Sequence, residues 1–384
     1  MFSKVLIANR GAIAVRIIKT LKKMGVASVA VYAEADAHAP HVTMADEAWA
    51  LGEGTAAQTY LDQHKLFDVL QKSGAQAVHP GYGFLSENAD FCRALSQRGI
   101  VFIGPTPEQM VAFGLKHEAR ALAQQSGVPL LPGTGLLPSL EAAVQQAGTV
   151  GYPVMLKSTA GGGGIGMQIC HDELQLRGCW QSIKRLSANN FANEGVFLEK
   201  YIEFARHIEV QIFGDGEGDV LVLGDRDCST QRRHQKVIEE APAPNIPHEV
   251  RLHLHQCAAQ LVSAVKYRGA GTVEFIYDRK QDRFYFLEVN TRLQVEHGVT
   301  ELVYQIDLVE WMVRLAAGEM PSFAKIKSVL DPQGHAIQAR IYAENPARDF
   351  QPSTGTLNVV SWPEADGKNL RIDHWIESGS VISP

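Results

Sequence analysis

The sequence predicts a mixed fold, with a parallel-sheet α/β domain first, an α+β domain in the centre and a β-rich segment at the C-terminus. Three observations support this prediction. Short apolar runs alternate with amphipathic helical stretches over about the first 110 residues, glycine-rich and hairpin patterns fill the middle, and strand patterns recur from His335 onwards. Strands that alternate with helices of 10–15 residues are typical of parallel sheets with helical crossovers.

Length and composition restrict the class of protein. A chain of 384 residues is expected to form about two or three domains. Its 36 basic and 42 acidic residues give a net charge of −6, which argues against a nucleic-acid partner. The five cysteines have no zinc-binding spacing and indicate a reducing compartment. No apolar run has the length of a membrane span and no secretory signal is present, so we expect a cytoplasmic protein without a membrane partner.

The first domain is predicted to contain four strands and three helices. The strands are expected at 5–8, 28–32, 77–78 and 101–103, and the helices at 13–24, 60–72 and 90–97. Ligands of such sheets bind at the carboxyl ends of the strands. The loops at residues 9–11 and 79–84 follow two of these strands and are therefore candidate parts of a site.

The rest of the chain has weaker periodicity. The predicted helices and strands are a long helix at 106–125, a helix at 140–147, strands at 152–157 and 167–170, hairpin patterns at 220–223 and 272–290, and C-terminal strands at 337–342, 356–360 and 370–375. The centre is expected to form two small α+β halves with a cleft between them.

A glycine-rich loop occupies residues 161–166 and follows a strand that carries Lys157. Glycine lets backbone N–H groups approach phosphates closely. The spacing also matches GxGxxG, but a dinucleotide fingerprint must open a helix at once, and here a second strand follows. A flexible hairpin loop is one alternative, and a flap that closes over a triphosphate is the interpretation we favour.

The hairpin at 272–290 places two carboxylates opposite each other. With a five-residue loop at 279–283, Glu274 faces Glu288 across the two strands. At about 4.5 Å and an effective dielectric constant near 20, their repulsion is roughly 4 kcal/mol. A shared proton, a buried cation or a metal ion must offset it. Asn290 lies on the same face, so the three oxygen donors suit Mg²⁺ or Mn²⁺, whereas an exposed hairpin face is the alternative.

Two further patterns have polar residues at alternate positions. If the second strand continues, Arg292, Gln294 and Glu296 share the face of the carboxylates, where Arg292 could hold a small planar anion and Glu296 could accept its proton. A structural Arg–Glu pair is the alternative. In the run at 206–212, alternate residues starting from His207 are polar and share one face, and alternate residues starting from Ile208 are apolar and share the other. The polar face is either part of a site or a solvated outer face of the strand.

Basic residues could complete an anion site. The run at 231–236 is either a solvated loop or a clamp beside a polyphosphate, and Lys116 is either a surface residue or a phosphate ligand. A glycine flap, lysines, two carboxylates and an Arg–Glu combination together indicate that MgATP activates a small oxyanion as an acyl phosphate.

Four motifs in the chain closely resemble the biotin carboxylase family, which has the ATP-grasp fold. They are IANRG at 7–11, HPGYGFLSEN at 79–88, RHIEVQ at 206–211 and EVNTRLQVEH at 288–297. Finer features at 130–137 and 155–160, together with Ile165, resemble the biotin carboxylase portion of urea carboxylase (urea amidolyase) and its guanidine-acting relatives. The resemblance implies an N-terminal domain at 1–113, an ATP-grasp domain at 114–330 with a flap subdomain at about 130–203, and a partial C-terminal domain at 331–384.

The resemblance also implies the reaction, namely ATP- and bicarbonate-dependent carboxylation of protein-linked biotin through carboxyphosphate. Its substrates and cofactors are ATP, two Mg²⁺ or Mn²⁺ ions, bicarbonate and biotin on a carrier domain. The implied metal ligands are Glu274, Glu288 and Asn290. Glu296 matches the general base, Lys236 and Arg292 match bicarbonate-binding residues, and Arg340 matches the residue that stabilises the biotin enolate. The implied nucleotide-site residues are Lys116, Lys157, Gly162, Gly163, Gly164, Gly166, Met167, Glu199, Lys200, Tyr201, Ile202, His207, Gln231, His234 and Ile276.

Three departures from the family pattern qualify these expectations. Ala12 replaces a usual Glu. Gly298 replaces a usual Pro beside Glu296, and the greater backbone entropy of glycine in the unfolded state lowers stability by about 1 kcal/mol. The chain also ends at Pro384, about 60 residues before the family pattern does, so we expect a truncated C-terminal domain. Biotin carrier and carboxyltransferase domains are expected on another polypeptide or in further sequence, and a homodimer is expected. The alternatives are an impaired ATP-binding fragment, a subunit of an acyl-CoA carboxylase, or an ATP-grasp ligase for another substrate.

Overall fold

The computed structural model describes residues 1–158, 166–190, 195–233 and 235–382. Within these ranges it confirms the predicted mixed architecture, with a parallel sheet first and an antiparallel α+β region after it. None of the helices in these ranges is both long enough and apolar enough to cross a membrane.

The N-terminal domain is a five-stranded parallel sheet in the order β3-β2-β1-β4-β5. The edge strand β3 had not been predicted; four of its residues alternate between intermediate and exposed, and Leu51 is buried. The elements are β1 (Lys4–Ile7), α1 (Gly11–Lys23), β2 (Ala27–Ala33), α2 (Pro40–Met44), β3 (Glu47–Gly52), α3 (Gln63–Ser73), β4 (Ala77–His79), α4 (Ala89–Ser96) and β5 (Val101–Phe102).

The long helix predicted at 106–125 is wrong, because the chain forms two helices there. These are α5 (Pro107–Gly114) and α6 (Lys116–Gln125). Leu115 has φ −97° and ψ 117°, which is extended backbone, so the helical hydrogen bonding stops at that residue. Lys116 is consequently the first residue of α6, where its side chain faces the central cleft rather than the surface.

A small antiparallel sheet in the order β7-β6-β8 packs against two helices. Leu156, Trp180 and Leu198 belong to its own hydrophobic cluster, so this unit has a core separate from the rest of the domain. Its elements are α7 (Leu140–Val150), β6 (Val154–Ser158), β7 (Met167–Cys170), α8 (Glu173–Asn190) and β8 (Val196–Lys200).

The large sheet is antiparallel, with six strands in the order β13-β12-β9-β10-β11-β14. A hydrophobic cluster that includes Ile17, Phe213 and Met312 joins this sheet to the N-terminal domain. The elements are β9 (Ala205–Asp215), β10 (Val220–Arg232), β11 (Gln235–Ala241), α9 (His248–Ser263), β12 (Arg268–Asp278), β13 (Arg283–Asn290), α10 (His297–Tyr304), α11 (Leu308–Ala316), α12 (Phe323–Lys327) and β14 (Ala336–Ala339).

The hairpin of β12 and β13 has the predicted carboxylate pair but not the predicted loop. Asp278 pairs with Arg283, which leaves four loop residues instead of five. A β-bulge then shifts the register between Phe275 and Glu274, and Glu274 pairs with Glu288. The bulge adds one residue to β13, and this offsets the shorter loop.

The C-terminal residues form only short strands, and the strand predicted at 370–375 is wrong. Arg371 contacts Glu301, and the ring of Trp375 lies 3.6 Å from the position that a Cβ atom would occupy if Gly11 had one. These side chains hold the segment against the earlier domains without strand pairing. The strands are β15 (Glu344–Asn345), β16 (Gln351–Pro352), β17 (Gly355–Thr356) and β18 (Val381–Ile382).

Candidate active site

A cavity of about 760 Å³ lies between the small sheet and the large sheet, with Tyr82 of the N-terminal domain at its edge. It collects most of the predicted site residues from ten different stretches of the chain. Those that line it are Lys116, Lys157, Met167, Lys200, Tyr201, Ile202, His207, Gln231, Lys236, Glu274, Ile276, Glu288, Asn290, Arg292 and Arg340. Gly162, Gly163, Gly164 and His234 lie outside the residues that the structure describes.

A row of charged residues crosses four neighbouring strands of the large sheet at this cavity. Arg226 on β10 pairs with Glu209 on β9, Glu209 pairs with Glu274 on β12, and Glu274 pairs with Glu288 on β13. Directly paired residues lie on the same side of a sheet, so three carboxylates stand side by side. Arg226 and Glu209 are fully buried, which excludes the solvated outer face that was the alternative for β9.

The electrostatics of the row differ from one end to the other. Burial and the charge of Glu274 raise the pKa of the Glu288 carboxyl. Burial would also raise the pKa of Glu274, but Lys236 and His207 outweigh it and hold that pKa well below its usual range. His207 Nε2 lies 2.7 Å from Glu274 Oε2, and Lys236 Nζ lies 3.0 Å from Glu274 Oε1. The repulsion expected from the sequence is therefore offset at Glu274 and remains at Glu288.

This donor set fits a divalent cation. Two adjacent carboxylates, of which Glu274 is buried and Glu288 is partly buried with a raised pKa, gain most from a cation that neutralises them, and oxygen donors suit Mg²⁺ or Mn²⁺. Asn290 donates its Nδ2 hydrogen to Glu274 Oε1 at 2.7 Å, and its Oδ1 accepts from Arg292 at 3.1 Å. Asn290 is thus bonded to Glu274, and Glu274 is paired with Glu288 across the hairpin, so the predicted pairing is confirmed while the metal ligands stay a prediction.

Lys236 on β11 is the centre of a second cluster. Its ammonium contacts Glu209, Glu274 and Glu296, with 2.8 Å between Nζ and Glu296 Oε1. Burial disfavours the charge of Lys236, but the carboxylates of Glu274 and Glu296 raise its pKa, so the side chain stays protonated. Lys236 therefore lies directly between the metal-site carboxylates and Glu296.

Glu296 is fully buried and precedes the first residue of α10. The strand does not continue to it, because β13 ends at Asn290. The irregular stretch after β13 still brings Gln294 to the cavity lining, whereas Glu296 lies behind the lining, in contact with Lys236. Burial would raise the pKa of Glu296, but Lys236, Arg226 and Arg340 lower it to about 2. The carboxyl is consequently ionised at neutral pH, as a proton acceptor must be, and it becomes a stronger base only when its contacts with Lys236 and Arg340 weaken.

Arg340 holds the other oxygen of Glu296. Its Nη2 lies 2.8 Å from Glu296 Oε2, and its Nε lies 2.6 Å from Glu239 Oε1. Glu239 is buried, and burial raises the pKa of its carboxyl although Arg340 opposes this. The guanidinium is therefore fixed between two carboxylates, and it enters the cavity from the C-terminal segment, directly after β14.

Arg292 does not stand beside Glu296, which was one prediction from the alternation. Among the ion pairs of the described residues, Arg292 has Glu87 as its partner, with 2.8 Å between Nε and Oε2. Its Nη1 donates to Gln294 Oε1 at 2.9 Å. Among the described residues, Arg292 and Glu296 also do not form the structural ion pair that was the alternative.

Lysines of the small sheet and α6 approach the cavity from the opposite side. Lys157 and Arg120 both contact Glu199, which is buried and so acts as their shared counterion. Lys200 instead donates to the carbonyls of Gly151 and Tyr152, each at 2.8 Å. Of the predicted segment 199–202, Lys200, Tyr201 and Ile202 therefore line the cavity while Glu199 supports Lys157 from behind.

Lys116 is partly buried, and this burial lowers the pKa of its ammonium, while Glu288 opposes the shift. On the nucleotide side of the cavity, Gln231 Nε2 lies 3.1 Å from His207 Nδ1. Gly166 has φ +76° and accepts a hydrogen bond from the Ser158 N–H, so it closes the base of the glycine loop outside the cavity lining.

The basic run divides between two places. Lys236 and Gln231 face the cavity, whereas Arg232 contacts Glu344 and Arg233 contacts Asp349. The arginines of the run therefore bind the C-terminal segment.

Sequence reasoning missed four site residues. Glu87, Glu239 and Arg226 were not singled out, and Glu209 was recognised only as part of a polar strand face. Glu209 was the residue that could have been found, because its alternation with His207 placed it beside the metal carboxylates. The others lie far away in sequence, and only the sheet order and domain contacts bring them to the site.

Comparison with known proteins agrees with this architecture. Models of three domain families match in order, namely the N-terminal domain of biotin carboxylase at residues 1–110, the ATP-binding domain of the carbamoyl-phosphate synthase L chain at 116–322, and the C-terminal domain of biotin carboxylase at 338–384. The chain is 48% identical over 385 residues to biotin carboxylase 2 of Bacillus subtilis, and the match covers all of this chain and 85% of that protein.

Two other similarities are informative. The chain is 54% identical over 384 residues to urea amidolyase of Saccharomyces cerevisiae, of which it spans 21%. It also superposes, with a TM-score of 0.92 and 41% identity, on the biotin carboxylase domain dimer of 2-oxoglutarate carboxylase from Hydrogenobacter thermophilus, in complex with MgADP, ADP and bicarbonate. That match covers all of this chain and 84% of the other. By sequence, domain order and fold, the chain belongs to the biotin carboxylase family.

Proposed function

We propose that this chain catalyses ATP- and bicarbonate-dependent carboxylation of biotin carried on another domain. The observation that carries the proposal is the buried, ionised Glu296, held between Lys236 and Arg340 beside the paired carboxylates Glu274 and Glu288. This arrangement supports the roles of a base, two cationic groups for an oxyanion and a cation site at one cavity. The binding of MgADP and bicarbonate by the Hydrogenobacter thermophilus relative supports the same chemistry.

The proposed first step is the activation of bicarbonate. Lys116 and Lys157 hold the phosphates of ATP, while Glu274, Glu288 and Asn290 would hold two Mg²⁺ or Mn²⁺ ions, which would neutralise phosphate charge. Lys236 and Arg292 bind bicarbonate. Glu296 takes the proton of bicarbonate as an oxygen of that ion attacks the γ-phosphorus, and the bond to ADP breaks, which yields carboxyphosphate and ADP.

The proposed second step transfers the carboxyl group. Carboxyphosphate breaks down to CO₂ and phosphate, the released phosphate takes the proton of biotin N1, N1 attacks the carbon of CO₂ to form carboxybiotin, and Arg340 stabilises the enolate oxygen of biotin. Arg340 already contacts Glu296 at 2.8 Å, so the two halves of the reaction share one corner of the cavity.

Nucleotide contacts form the remaining part of the proposal. Tyr201, Ile202, Met167 and Ile276 supply the walls for adenine and ribose, with Glu199 and Lys200 supporting that edge. His207 and Gln231 contact each other and face the same side. The glycine loop, including Gly162, Gly163, Gly164 and Gly166, is proposed to cover the phosphates, and His234 is proposed as a further nucleotide-binding residue.

We further propose that the final acceptor is urea or guanidine. The 54% identity to a urea amidolyase supports urea, and an acyl-CoA acceptor is the competing possibility because methylcrotonoyl-CoA carboxylase subunits are 48% identical. The partners would be a biotin carrier domain and a carboxyltransferase domain, and a homodimer would match the dimeric relative. Five free cysteines support a reducing, cytoplasmic location.

The test measures ATP hydrolysis with and without bicarbonate, and then with free biotin added. We expect hydrolysis to require bicarbonate, to increase with biotin and to disappear in Glu296→Ala and Arg292→Ala. A folded protein that hydrolyses ATP equally without bicarbonate would contradict the proposal. A folded protein that binds ATP without any turnover would instead support the impaired nucleotide-binding fragment.

A further inference from the structure

Two cysteines lie next to each other in the small-sheet unit. Cys170 ends β7 and Cys179 lies in α8, and their Sγ atoms are 3.4 Å apart. Cys170 is buried, whereas Cys179 is partly exposed. The remaining cysteines, Cys92, Cys228 and Cys257, are all buried. The pair is therefore the one place in the described residues where an accessible thiol touches a second thiol.

We propose that Cys170 and Cys179 form an oxidation site at which a peroxide converts the two thiols into a reversible disulfide. A disulfide bond is about 2.05 Å long, so the sulfur atoms must approach by little more than about 1 Å. Two residues separate β7 from α8, and the turn that they make folds Cys179 back against Cys170.

The exposures decide the order of the chemistry. Burial, together with the hydrogen bond to Cys179, raises the pKa of the Cys170 thiol to about 12, so Cys170 is a poor first nucleophile. Cys179 is the thiol that meets the oxidant. Its sulfur attacks hydrogen peroxide, the O–O bond breaks, and a sulfenic acid and one water molecule form.

The second step closes the disulfide. The sulfur of Cys170 attacks the sulfenic sulfur of Cys179, the S–O bond breaks, and the departing hydroxide takes the proton of Cys170 to form a second water. Two thiols lose two electrons and two protons in total, and one hydrogen peroxide becomes two waters. No other oxidant is required.

The bond would tie β7 to α8 without touching the proposed chemistry. Cys170 is paired with Val154, at the opposite end of β6 from Lys157, which is paired with Met167 at the cavity. The cross-link would therefore stiffen the unit that carries Lys157 and leave the cavity lining in place. This inference does not depend on the proposed function.

Peptide mapping tests the proposal directly, because tryptic cleavage separates the two cysteines. Cleavage after Lys157, Arg177 and Lys184 leaves Cys170 in peptide 158–177 and Cys179 in peptide 178–184. The native protein is treated with hydrogen peroxide, blocked with N-ethylmaleimide, denatured and digested. We expect the two peptides to be joined, with a mass two hydrogens below their sum, and to separate after dithiothreitol.

Matched variants distinguish a specific bond from general oxidation. Cys179→Ser should abolish the joined peptides, whereas Cys257→Ser, at a buried cysteine of α9, should leave them unchanged. Two separate peptides that both carry N-ethylmaleimide, or a sulfinic acid at Cys179 with Cys170 still a thiol, would overturn the proposal. The measurement on the unmodified sequence is decisive even if a variant fails to fold.

Discussion

Glu87 of the N-terminal domain holds Arg292 at the edge of the cavity. Its Oε2 accepts from Arg292 Nε at 2.8 Å, and its Oε1 accepts from the Thr291 N–H at 3.0 Å and from the Thr291 hydroxyl at 3.2 Å. One carboxylate therefore fixes two consecutive residues that follow β13. The N-terminal domain contributes to the site by orienting the arginine that we propose binds bicarbonate.

Replacement of Glu87 should thus weaken bicarbonate binding more than turnover. Glu87→Gln retains the shape but loses the charge-assisted bond to Arg292, which is typically worth about 1.5–3 kcal/mol and less here because Glu87 is partly exposed. We expect KM for bicarbonate to rise about tenfold while kcat changes by less than about threefold. Steady-state ATP hydrolysis at varied bicarbonate measures both constants.

Asp90 provides the control for Glu87, because it lies three residues later and its carboxylate pairs with Arg93 at the surface. Asp90→Asn should leave both constants unchanged. If Glu87→Gln instead lowered kcat about tenfold and left KM for bicarbonate unchanged, Glu87 would not act by holding Arg292 for bicarbonate.

Glu296→Gln should remove the base and keep the shape of the site. General-base catalysis contributes about 10²- to 10⁴-fold, so we expect kcat for bicarbonate-dependent ATP hydrolysis to fall by at least about 100-fold. ATP binding, measured by calorimetry, should change little, because the lysines that we assign to the phosphates are untouched. Glu249→Gln, an exposed residue of α9, is the control. Retention of more than about a tenth of the rate would exclude Glu296 as the base.

Binding of Mn²⁺ should release a proton and become tighter as the pH rises. The pKa of Glu288 is raised by burial and by Glu274, and a bound cation requires the deprotonated carboxylate. The affinity should therefore increase, by at most about tenfold for each pH unit, until the pH passes the raised pKa. Calorimetry in two buffers of different ionisation enthalpy measures both the affinity and the proton released. A pH-independent affinity would contradict the prediction.

The metal-free protein should gain stability from Glu288→Gln. A carboxyl whose pKa is raised on folding favours the native state when protonated, and this contribution is lost as the pH rises through the folded-state pKa. Once the pH is above the raised pKa, the ionised Glu288 is therefore destabilising, and its replacement should raise Tm by about 1–3 °C. Thermal unfolding without metal measures this change, with the exposed Glu203→Gln as the control. A lower Tm for Glu288→Gln would contradict it.

Lys116 should make ATP binding sensitive to alkaline pH. Burial lowers its pKa below the ordinary value of 10.5, so the positive charge offered to phosphate is lost earlier than for an exposed lysine. KM for ATP should rise as the pH climbs through the lowered pKa, and Lys116→Arg, which stays charged, should remove this rise. Lys72→Arg, at an exposed residue of α3, should keep it. If KM for ATP rose at alkaline pH in Lys116→Arg as it does in the unmodified protein, the rise would come from another group.

The local sequence was sufficient for the parallel sheet, because strands 5–8, 28–32 and 77–78 are apolar and alternate with amphipathic helices. It was also sufficient to pair Glu274 with Glu288, although the loop length from which the pairing was predicted was wrong by one residue. The loop is one residue shorter than expected and a bulge restores the pairing, and no periodicity in the sequence shows a bulge. The break at Leu115 was missed because the residue fits a helix and only its backbone angles end it.

The sequence by itself determined the alternation that puts His207 beside Glu209, and Glu288 beside Asn290, since residues two apart on a strand share a face. Only the tertiary structure decided which charges meet. Lys236, Glu296, Arg340 and Glu87 come from separate strands, loops and domains, and their pairings depend on the sheet order and on how the domains pack. Coulomb interactions act over a few ångströms in space, whereas sequence patterns report only on neighbours along the chain.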